Sequence, residues 1–179
     1  YKQKTCIQFV PWNGEQNYIE IFDDQACYSM LGRRTGKQQV SLSRSGCIDN
    51  LRPRHEMMHA LGFTHMFTSA DRDNFVTVDV RNVPFDMRNN FDKVQSNAYS
   101  MFGVPFDFES VMMYDKNAFS PNPSFNTIVP KSAYTSIAAR WFSQGTATDL
   151  SVGDAQRINR MYGCRRTVNG GELKKFLFQ

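Results

Sequence analysis

The chain has 179 residues and a formal net charge of +4, from 21 basic and 17 acidic side chains. A chain of this length fits one domain that buries ~70% of the surface exposed by the unfolded chain, so its core does not depend on a metal. The basic residues are scattered, which disfavours nucleic-acid binding, and no apolar run approaches the ~20 residues that a membrane span requires.

Four short runs near the start of the chain predict β-strands. They are rich in β-branched and aromatic residues, and turn-forming residues separate them. The runs are residues 7–10, 18–22, 28–31 and 38–42. A sheet therefore precedes the rest of the domain.

The cysteines indicate in which cellular compartment the protein folds. They are Cys6, Cys27, Cys47 and Cys164, and none lies in a Cys-x-x-Cys pair that would indicate a second metal site or a redox motif. Two disulfides are the natural interpretation, with three connectivities open, and they point to secretion. Four buried thiols in a cytosolic protein are the alternative. No signal peptide opens the chain, so we expect a mature or trimmed form.

A helix is predicted over residues 52–61, directly after the strands. Pro53 is compatible with its first turn, where the missing N–H would be unpaired in any case. His55 and His59 are four residues apart, so they share one helix face with Cβ atoms ~5–6 Å apart. Both imidazoles can therefore bind one ion at ~2.0–2.1 Å.

The segment after this helix completes a predicted metal site. Gly62 lies where the helix must stop, because glycine tolerates a positive φ as a C-terminal cap. His65 then supplies a third nitrogen, and all three histidines of the chain fall within eleven residues. Three nitrogens leave one position of a tetrahedral zinc ion open for water, and Glu56 is the predicted base beside it.

Downstream of residue 62 the sequence changes in character. Pro, Gly, Asn and Ser are frequent and periodicity is weak up to residue 145, which predicts a loop-rich second lobe. Ser151, with Asp154 three residues later and apolar residues at helical spacing, predicts a capped helix that ends at Gly163. Residues 165–179 are a tail or linker: a link towards a further domain, an expression remnant or an ordered appendage.

The extended histidine motif of residues 55–65 is typical of the metzincin clan of zinc hydrolases. Over residues 5–164 the chain resembles the catalytic domain of the astacin family of metalloendopeptidases. The stretch Ser110-Val111-Met112-Met113-Tyr114 carries much of this resemblance together with the zinc motif and the cysteines. Further matching stretches are Cys6-Ile7-x-Phe9, residues 38–42, Gly62-Phe63, Asp71-Arg72-Asp73-Asn74 and residues 158–162.

The resemblance implies an α+β, two-lobed, zincin-like fold. Residues 1–164 would form the catalytic domain, with a mixed twisted β-sheet and the zinc helix in an N-terminal lobe at 1–62. The C-terminal lobe at 63–164 would be loop-rich with one C-terminal helix. Because astacins carry a strand and most of a helix before the matched residues, the start of the domain would be missing. The cysteines would pair as Cys6–Cys164 and Cys27–Cys47.

For the site, the resemblance implies one catalytic Zn²⁺. His55, His59 and His65 would bind it, and Tyr114 would be a movable further ligand. Met112 would lie in a methionine-containing turn beneath the zinc.

For function, the resemblance implies a secreted zinc endopeptidase, made as a zymogen with an inhibitory propeptide. Water on the zinc, activated by Glu56, would attack an internal peptide bond, and Tyr114 would hold the resulting oxyanion. An extended protein or peptide substrate would pair with the edge strand around residues 27–30. These residues are Cys27, Tyr28, Ser29 and Met30.

Two residues depart from the family pattern. Astacins usually have glutamate directly after the third histidine, where it connects to the buried mature N-terminus, and this chain has Met66, so that contact cannot form. Met113 replaces a histidine that is common in the family. Because Met112 and Tyr114 are retained, we expect local repacking without loss of zinc.

Two other functions are compatible with the motif. One is a secreted metzincin of another family, of the matrix or adamalysin type, which lacks a tyrosine ligand and which Met66 does not exclude. The other is a non-enzymatic, zinc-folded binding module, because a fold does not fix a function.

Overall fold

The structure is a computed structural model that describes residues 1–144, 149–164 and 174–178, with residues 140–144 and 174–178 described by their backbone alone. The strands are β1 Ile7–Pro11, β2 Tyr18–Phe22, β3 Tyr28–Ser29, β4 Lys37–Ser41, β5 Val76–Val78, β6 Ile128–Pro130 and β7 Lys174–Phe178. The α-helices are α1 Arg52–Ala60, α2 Thr135–Gln144 and α3 Val152–Met161. Among the described residues, no helix is long and apolar enough to cross a membrane.

These residues form two compact units. One contains residues 1–63 and the described part of residues 148–179, and the other contains the described part of residues 64–147. The predicted division after residue 62 lies next to the first break, but α3 is grouped with the N-terminal unit instead of the predicted C-terminal lobe. The reason is covalent and polar: Cys164 is disulfide-bonded to Cys6, and the Tyr162 hydroxyl donates to the Leu61 carbonyl at 2.9 Å.

The N-terminal unit is built on a five-stranded mixed sheet with the order β1-β7-β2-β4-β3. Strands β1, β7, β2 and β4 are parallel, and β3 pairs with β4 in the antiparallel direction. The mixed sheet implied by the resemblance is confirmed. Strand β7 comes from the tail and lies opposite β1 from Ile7 with Lys174 to Pro11 with Phe178. Of the alternatives for the tail, residues 174–178 therefore match an ordered appendage.

Alternating residues of the sheet pack on α1. Ile19 of β2 and Val40 of β4 are buried, and they join Met57 and Ala60 of α1 in one hydrophobic cluster. Burying these side chains away from water is the main favourable contribution to such packing. Because the cluster fixes the rotation of α1 about its axis, it also fixes the directions of the histidines on that helix.

Both ends of α1 follow from local chemistry. At its start the Asp49 carboxylate accepts hydrogen bonds from the N–H groups of Leu51 and Arg52, at 2.8 and 2.7 Å, and Pro53 lies in the first turn. At its end Gly62 has φ +102°, as predicted, and a Cβ there would approach Met161 Cε to 3.1 Å. The backbone conformation therefore favours glycine at this position, and an added Cβ would also make the end of the Met161 side chain shift.

The C-terminal helix α3 has the predicted capping box. The Ser151 hydroxyl accepts from the Asp154 N–H at 2.8 Å, and the Asp154 carboxylate accepts from the Ser151 N–H at 3.1 Å. The disulfide Cys6–Cys164 follows this helix, and Cys27–Cys47 links the segments before β3 and after β4. Both pairings implied by the resemblance are confirmed.

The second unit is rich in loops and short 3-10 turns, as expected. Its two-stranded sheet pairs β5 with β6, where Val76 and Ile128 are completely buried. Helix α2 was not predicted, because the loop-rich composition around it outweighed the helical spacing of Ile137, Ala138, Trp141 and Phe142 in the sequence. The C-terminal helix that the sequence predicts is α3, and α2 is an additional helix before it.

Candidate metal centre

Three histidines converge on one point. Helix α1 carries His55 and His59 one turn apart, with ring centroids separated by 4.7 Å and planes at 87°. His65 precedes a 3-10 turn at Met66–Thr68. One ligand atom from each histidine lies within 4.8 Å of the other two, and all three side chains are half-buried. These distances are those that one metal ion bound by three nitrogens requires.

His59 is held in the form that a metal needs. Its Nδ1–H donates to the Phe63 carbonyl at 2.8 Å, which leaves Nε2 as the ligand atom. Burial, and to a smaller extent the nearby His55, lower the pKa of His59 to about 4. The ring is therefore neutral at physiological pH.

Glu56 follows the first of these histidines and is buried, with 5% of its surface exposed. Burial raises the pKa of its carboxyl to about 7. A carboxyl group with a pKa in this range can both accept and return a proton near neutral pH.

The methionine-containing turn is tied to the residue that follows His65. The Met66 N–H donates to the Met112 carbonyl at 2.9 Å, and the Met112 N–H donates to the Ser110 hydroxyl at 3.0 Å. Met66, Met112 and Met113 are all buried. The two residues that depart from the family pattern thus contribute apolar side chains to the interior of the second unit.

Tyr114 lies beside the third histidine. Its ring centroid is 4.3 Å from that of His65 and 4.9 Å from that of Phe67. On another side it stacks against Phe119 at 5.7 Å. The structure therefore brings His65 and Tyr114, two of the site residues predicted from the sequence, next to each other.

The predicted substrate strand lies next to α1. Strand β3 is at the end of the strand order in the sheet, and Tyr28 and Met30 expose 45% and 53% of their surfaces. The Gly32 N–H, just after this strand, donates to the His59 carbonyl at 2.8 Å. Gly32 is only two residues after Met30, so this hydrogen bond holds the end of the predicted substrate strand close to the backbone of His59, a predicted zinc ligand.

Sequence reasoning missed several residues around the site. The sequence gives Arg72 no role beyond its place in a stretch that matches the family, yet its guanidinium donates to the carbonyls of Phe67, at 3.0 Å, and Phe91. The Tyr99 hydroxyl accepts from the Thr64 N–H at 3.1 Å, directly before His65. The matched Asp-Arg-Asp-Asn stretch was the only available signal for Arg72, and Tyr99 had none.

The donor set fits zinc. Imidazole nitrogens are among the ligands that Zn²⁺ prefers, and three of them are typical of catalytic sites that keep one position open. The neutral state of His59, with Nε2 not used by the bond to Phe63, meets the requirement for deprotonated ligands.

Comparisons with known proteins agree with this geometry. The family model described as Astacin, a peptidase family, matches residues 1–163. Zinc metalloproteinase nas-6 of Caenorhabditis elegans is 36% identical over 165 residues, which cover 92% of this chain and 46% of that protein. Zinc metalloproteinase nas-7 of the same organism is 40% identical over 165 residues, which cover 92% of this chain and 41% of that protein.

A solved structure is also similar. High choriolytic enzyme 1, a hatching enzyme zinc-protease from Oryzias latipes (medaka fish), has a TM-score of 0.81 and 34% sequence identity, covering 92% of this chain and 78% of that chain. The chain spans less than half the length of the two nematode relatives. Since the family match covers the three histidines, the turn at Met112 and three of the four cysteines, the chain belongs to the astacin family.

Proposed function

We propose that this chain is the catalytic part of a zinc-dependent endopeptidase that hydrolyses internal bonds of proteins or peptides. The observation that carries this proposal is the convergence of His55, His59 and His65 within 4.8 Å, beside a buried glutamate. Membership of the astacin family removes the matrix-type and adamalysin-type alternatives.

Each site residue has a role in this proposal. His55, His59 and His65 hold one Zn²⁺, and Tyr114 acts as a movable further ligand. Met112 supports the site through its backbone bond with Met66, directly after the third histidine. When bound, zinc supplies Lewis acidity, which polarises a carbonyl oxygen and lowers the pKa of a coordinated water to ~7.

The protein groups then move the protons. Glu56 accepts a proton from the attacking water, and a new C–O bond forms at the scissile carbonyl carbon. The Tyr114 hydroxyl donates a hydrogen bond to the oxyanion that develops. Glu56 returns its proton to the amine nitrogen as the C–N bond breaks, so the carboxylate is regenerated and one water is consumed.

We propose that the substrate binds in extended form along residues 27–30. Strand β3 pairs with β4 only through Tyr28 with Ser41 and Ser29 with Val40. An edge strand offers main-chain groups for a further strand, and exposed side chains such as those of Tyr28 and Met30 contribute to selectivity.

The same proposal includes the compartment and the control of activity. Two disulfides require an oxidising compartment to form and persist, which supports secretion. We propose an inhibitory propeptide before activation, since a protease of this kind must be kept inactive during its own synthesis.

The test is cleavage of a quenched fluorescent peptide library by the purified chain, with zinc content measured in parallel. We expect one zinc per chain, cleavage at internal bonds, loss of cleavage with a chelator and recovery when zinc is added. The matched controls are Glu56→Gln, which keeps the three histidines, and Asp86→Asn, which makes the same change of acid to amide at an exposed position.

Three results would contradict the proposal in different ways. Zinc binding without cleavage would identify a non-enzymatic zinc-folded module. Cleavage that persists after complete zinc removal would exclude metal-dependent hydrolysis. A folded chain that refuses zinc would exclude the metal site itself.

A further inference from the structure

An aromatic cluster encloses the ring of Tyr114. This cluster consists of His65, Phe67, Phe91, Tyr114 and Phe119, all in the second unit. Three of these rings contact Tyr114 directly: those of His65, Phe67 and Phe119. The ring centroid of Phe91 is 5.2 Å from that of Phe67 and 5.5 Å from that of Phe119, so Phe91 packs against two of the three rings that contact Tyr114.

The contact with Phe119 differs in geometry from the other two. Phe119 lies nearly parallel to Tyr114, with 23° between the planes, whereas Phe67 and His65 are tilted by 49° and 55°. A parallel ring allows its neighbour to slide in its own plane with little loss of contact, but it opposes tilting out of that plane. Phe119 therefore limits the direction in which the phenol of Tyr114 can move.

The backbone of Phe119 shows that its position is imposed by its surroundings. Its φ is +62°, a left-handed conformation that a bulky aromatic residue rarely adopts. Neighbouring bonds fix this turn: the Ser120 N–H donates to the Asn117 carbonyl at 3.0 Å, and the Thr127 hydroxyl donates to the Ala118 carbonyl at 2.7 Å. Backbone strain of this kind persists only where the surrounding structure fixes it, and it clusters at functional sites.

The opposite wall of the cluster is fixed by Arg72. Its side chain exposes only 12% of its surface and donates to the carbonyls of Phe67 and Phe91. Asp73 accepts from Arg72 Nε at 3.1 Å. Because one guanidinium holds the backbone behind two of the rings, the walls around Tyr114 are preorganised.

We propose that Phe119 is a positioning residue for Tyr114, which guides the phenol along one plane between its metal-bound and withdrawn positions. This inference rests on the proposed function, because it takes Tyr114 as a movable ligand and oxyanion donor. The left-handed backbone at Phe119 is what presents a flat ring to that phenol.

The experiment follows the Tyr114 phenol spectroscopically in protein loaded with Cu²⁺. A phenolate bound to Cu²⁺ gives a charge-transfer absorption band in the visible range, and Tyr114→Phe provides the spectrum without it. Phe119→Asn removes the ring but keeps a residue that tolerates positive φ, and Phe119→Tyr restores a flat ring. Phe75→Leu is the matched control, since Phe75 stacks on Phe106 at 4.7 Å in a second aromatic cluster of the same unit.

We expect Phe119→Asn to change the intensity of the band at least about twofold and to lower kcat of the zinc form about tenfold to a hundredfold, with KM nearly unchanged, because a misplacement of ~1 Å costs up to about a hundredfold. Phe119→Tyr should recover both values, and Phe75→Leu should leave both unchanged. For comparison, Tyr114→Phe should lower kcat by ~10²–10³ with a modest change in KM.

Two outcomes would overturn the inference. If folded Phe119→Asn keeps the parent band and kcat, Phe119 only fills space. If the parent has no band that depends on Tyr114, the phenol does not reach the metal and Phe119 has nothing to guide, while the chelator and Glu56→Gln tests still judge the peptidase proposal separately. Should Phe119→Asn fail to fold, Phe119→Leu is put through the same measurements with the same criteria.

Discussion

Helices α1 and α3 lie in the same unit and each buries one carboxylate, but the surroundings of the two carboxylates differ. Asp154 of α3 is completely buried, 2.5 Å from Arg157 Nη2, and also accepts from the Ser151 N–H. Glu56 of α1 is almost as deeply buried, and this burial raises its pKa to about 7.

The comparison distinguishes a carboxylate that stabilises the fold, Asp154, from one that is suited to proton transfer, Glu56. The capping box and the ion pair with Arg157 hold the Asp154 carboxylate in place at the start of α3. Glu56 is kept where ionisation is costly, which makes its proton exchangeable near neutral pH. The start of α1 is instead capped from outside the helix, by Asp49.

Replacing Glu56 should give the largest effect, and on activity alone. Glu56→Gln is expected to lower kcat/KM by about 10²–10⁴-fold, because the group that transfers protons is lost. Zinc content should match the parent, and the thermal midpoint of the metal-free protein should not fall, because a costly buried charge is removed. Peptide cleavage, elemental analysis and calorimetry measure these three quantities. Cleavage equal to that of the parent would remove Glu56 from the mechanism.

Removing the buried carboxylate of α3 should lower the stability of the fold and leave the catalytic activity unchanged. Asp154→Ala is expected to lower the free energy of unfolding by about 3–5 kcal/mol, because Arg157 would remain buried without its carboxylate. Urea unfolding measures the loss, and Asp86→Ala at an exposed site is the control, with an expected change within about 0.5 kcal/mol. A folded Asp154→Ala protein that has lost zinc or kcat would contradict the division of roles between the two helices.

The cap of α3 should contribute a smaller amount. Ser151→Ala removes the hydroxyl that accepts from the Asp154 N–H, which is expected to cost about 1 kcal/mol of stability. Ser151→Thr keeps a capping hydroxyl and should retain most of that stability. The measurement is again urea unfolding, and equal losses in both variants would mean that the side chain acts by packing and not as a cap.

The smallest expected effect on stability concerns Asp149, whose ion pair with Arg54 connects the segment before α3 to α1. Asp149 lies just before α3, and Lys4, at 2.8 Å, and Arg54 of α1, at 3.4 Å, keep the pKa of its carboxyl below the usual 3.8. A lowered folded-state pKa means that this stabilisation is present above the unfolded-state value and is lost as the pH falls through the folded-state value.

The matching variant is Asp149→Asn. Because Asp149 is nearly half exposed, we expect a loss of less than about 1 kcal/mol at neutral pH. This difference from the parent should shrink once the pH is below the usual pKa of the carboxyl and vanish below its lowered folded-state pKa. Urea unfolding over a series of pH values measures it. A difference that stays constant down to acidic pH would assign the effect to something other than the charge of Asp149.

Local spacing explains what the sequence determined about this protein. A helical period places His55 and His59 on one face, Gly62 ends that helix, and Ser151 with Asp154 caps the last one; each of these needs only residues within one or two turns. The resemblance to astacins added the disulfide pairing, which spacing alone had left open.

Tertiary structure alone decided the features that depend on distant segments. The raised pKa of Glu56 depends on burial, which exists only in the folded chain, and the cluster around Tyr114 unites rings from His65 to Phe119, held by Arg72. The place of β7 between β1 and β2 joins backbone segments more than 150 residues apart. A sequence records the residue types that can make such contacts, but burial and the choice of partner are set only when the chain has folded.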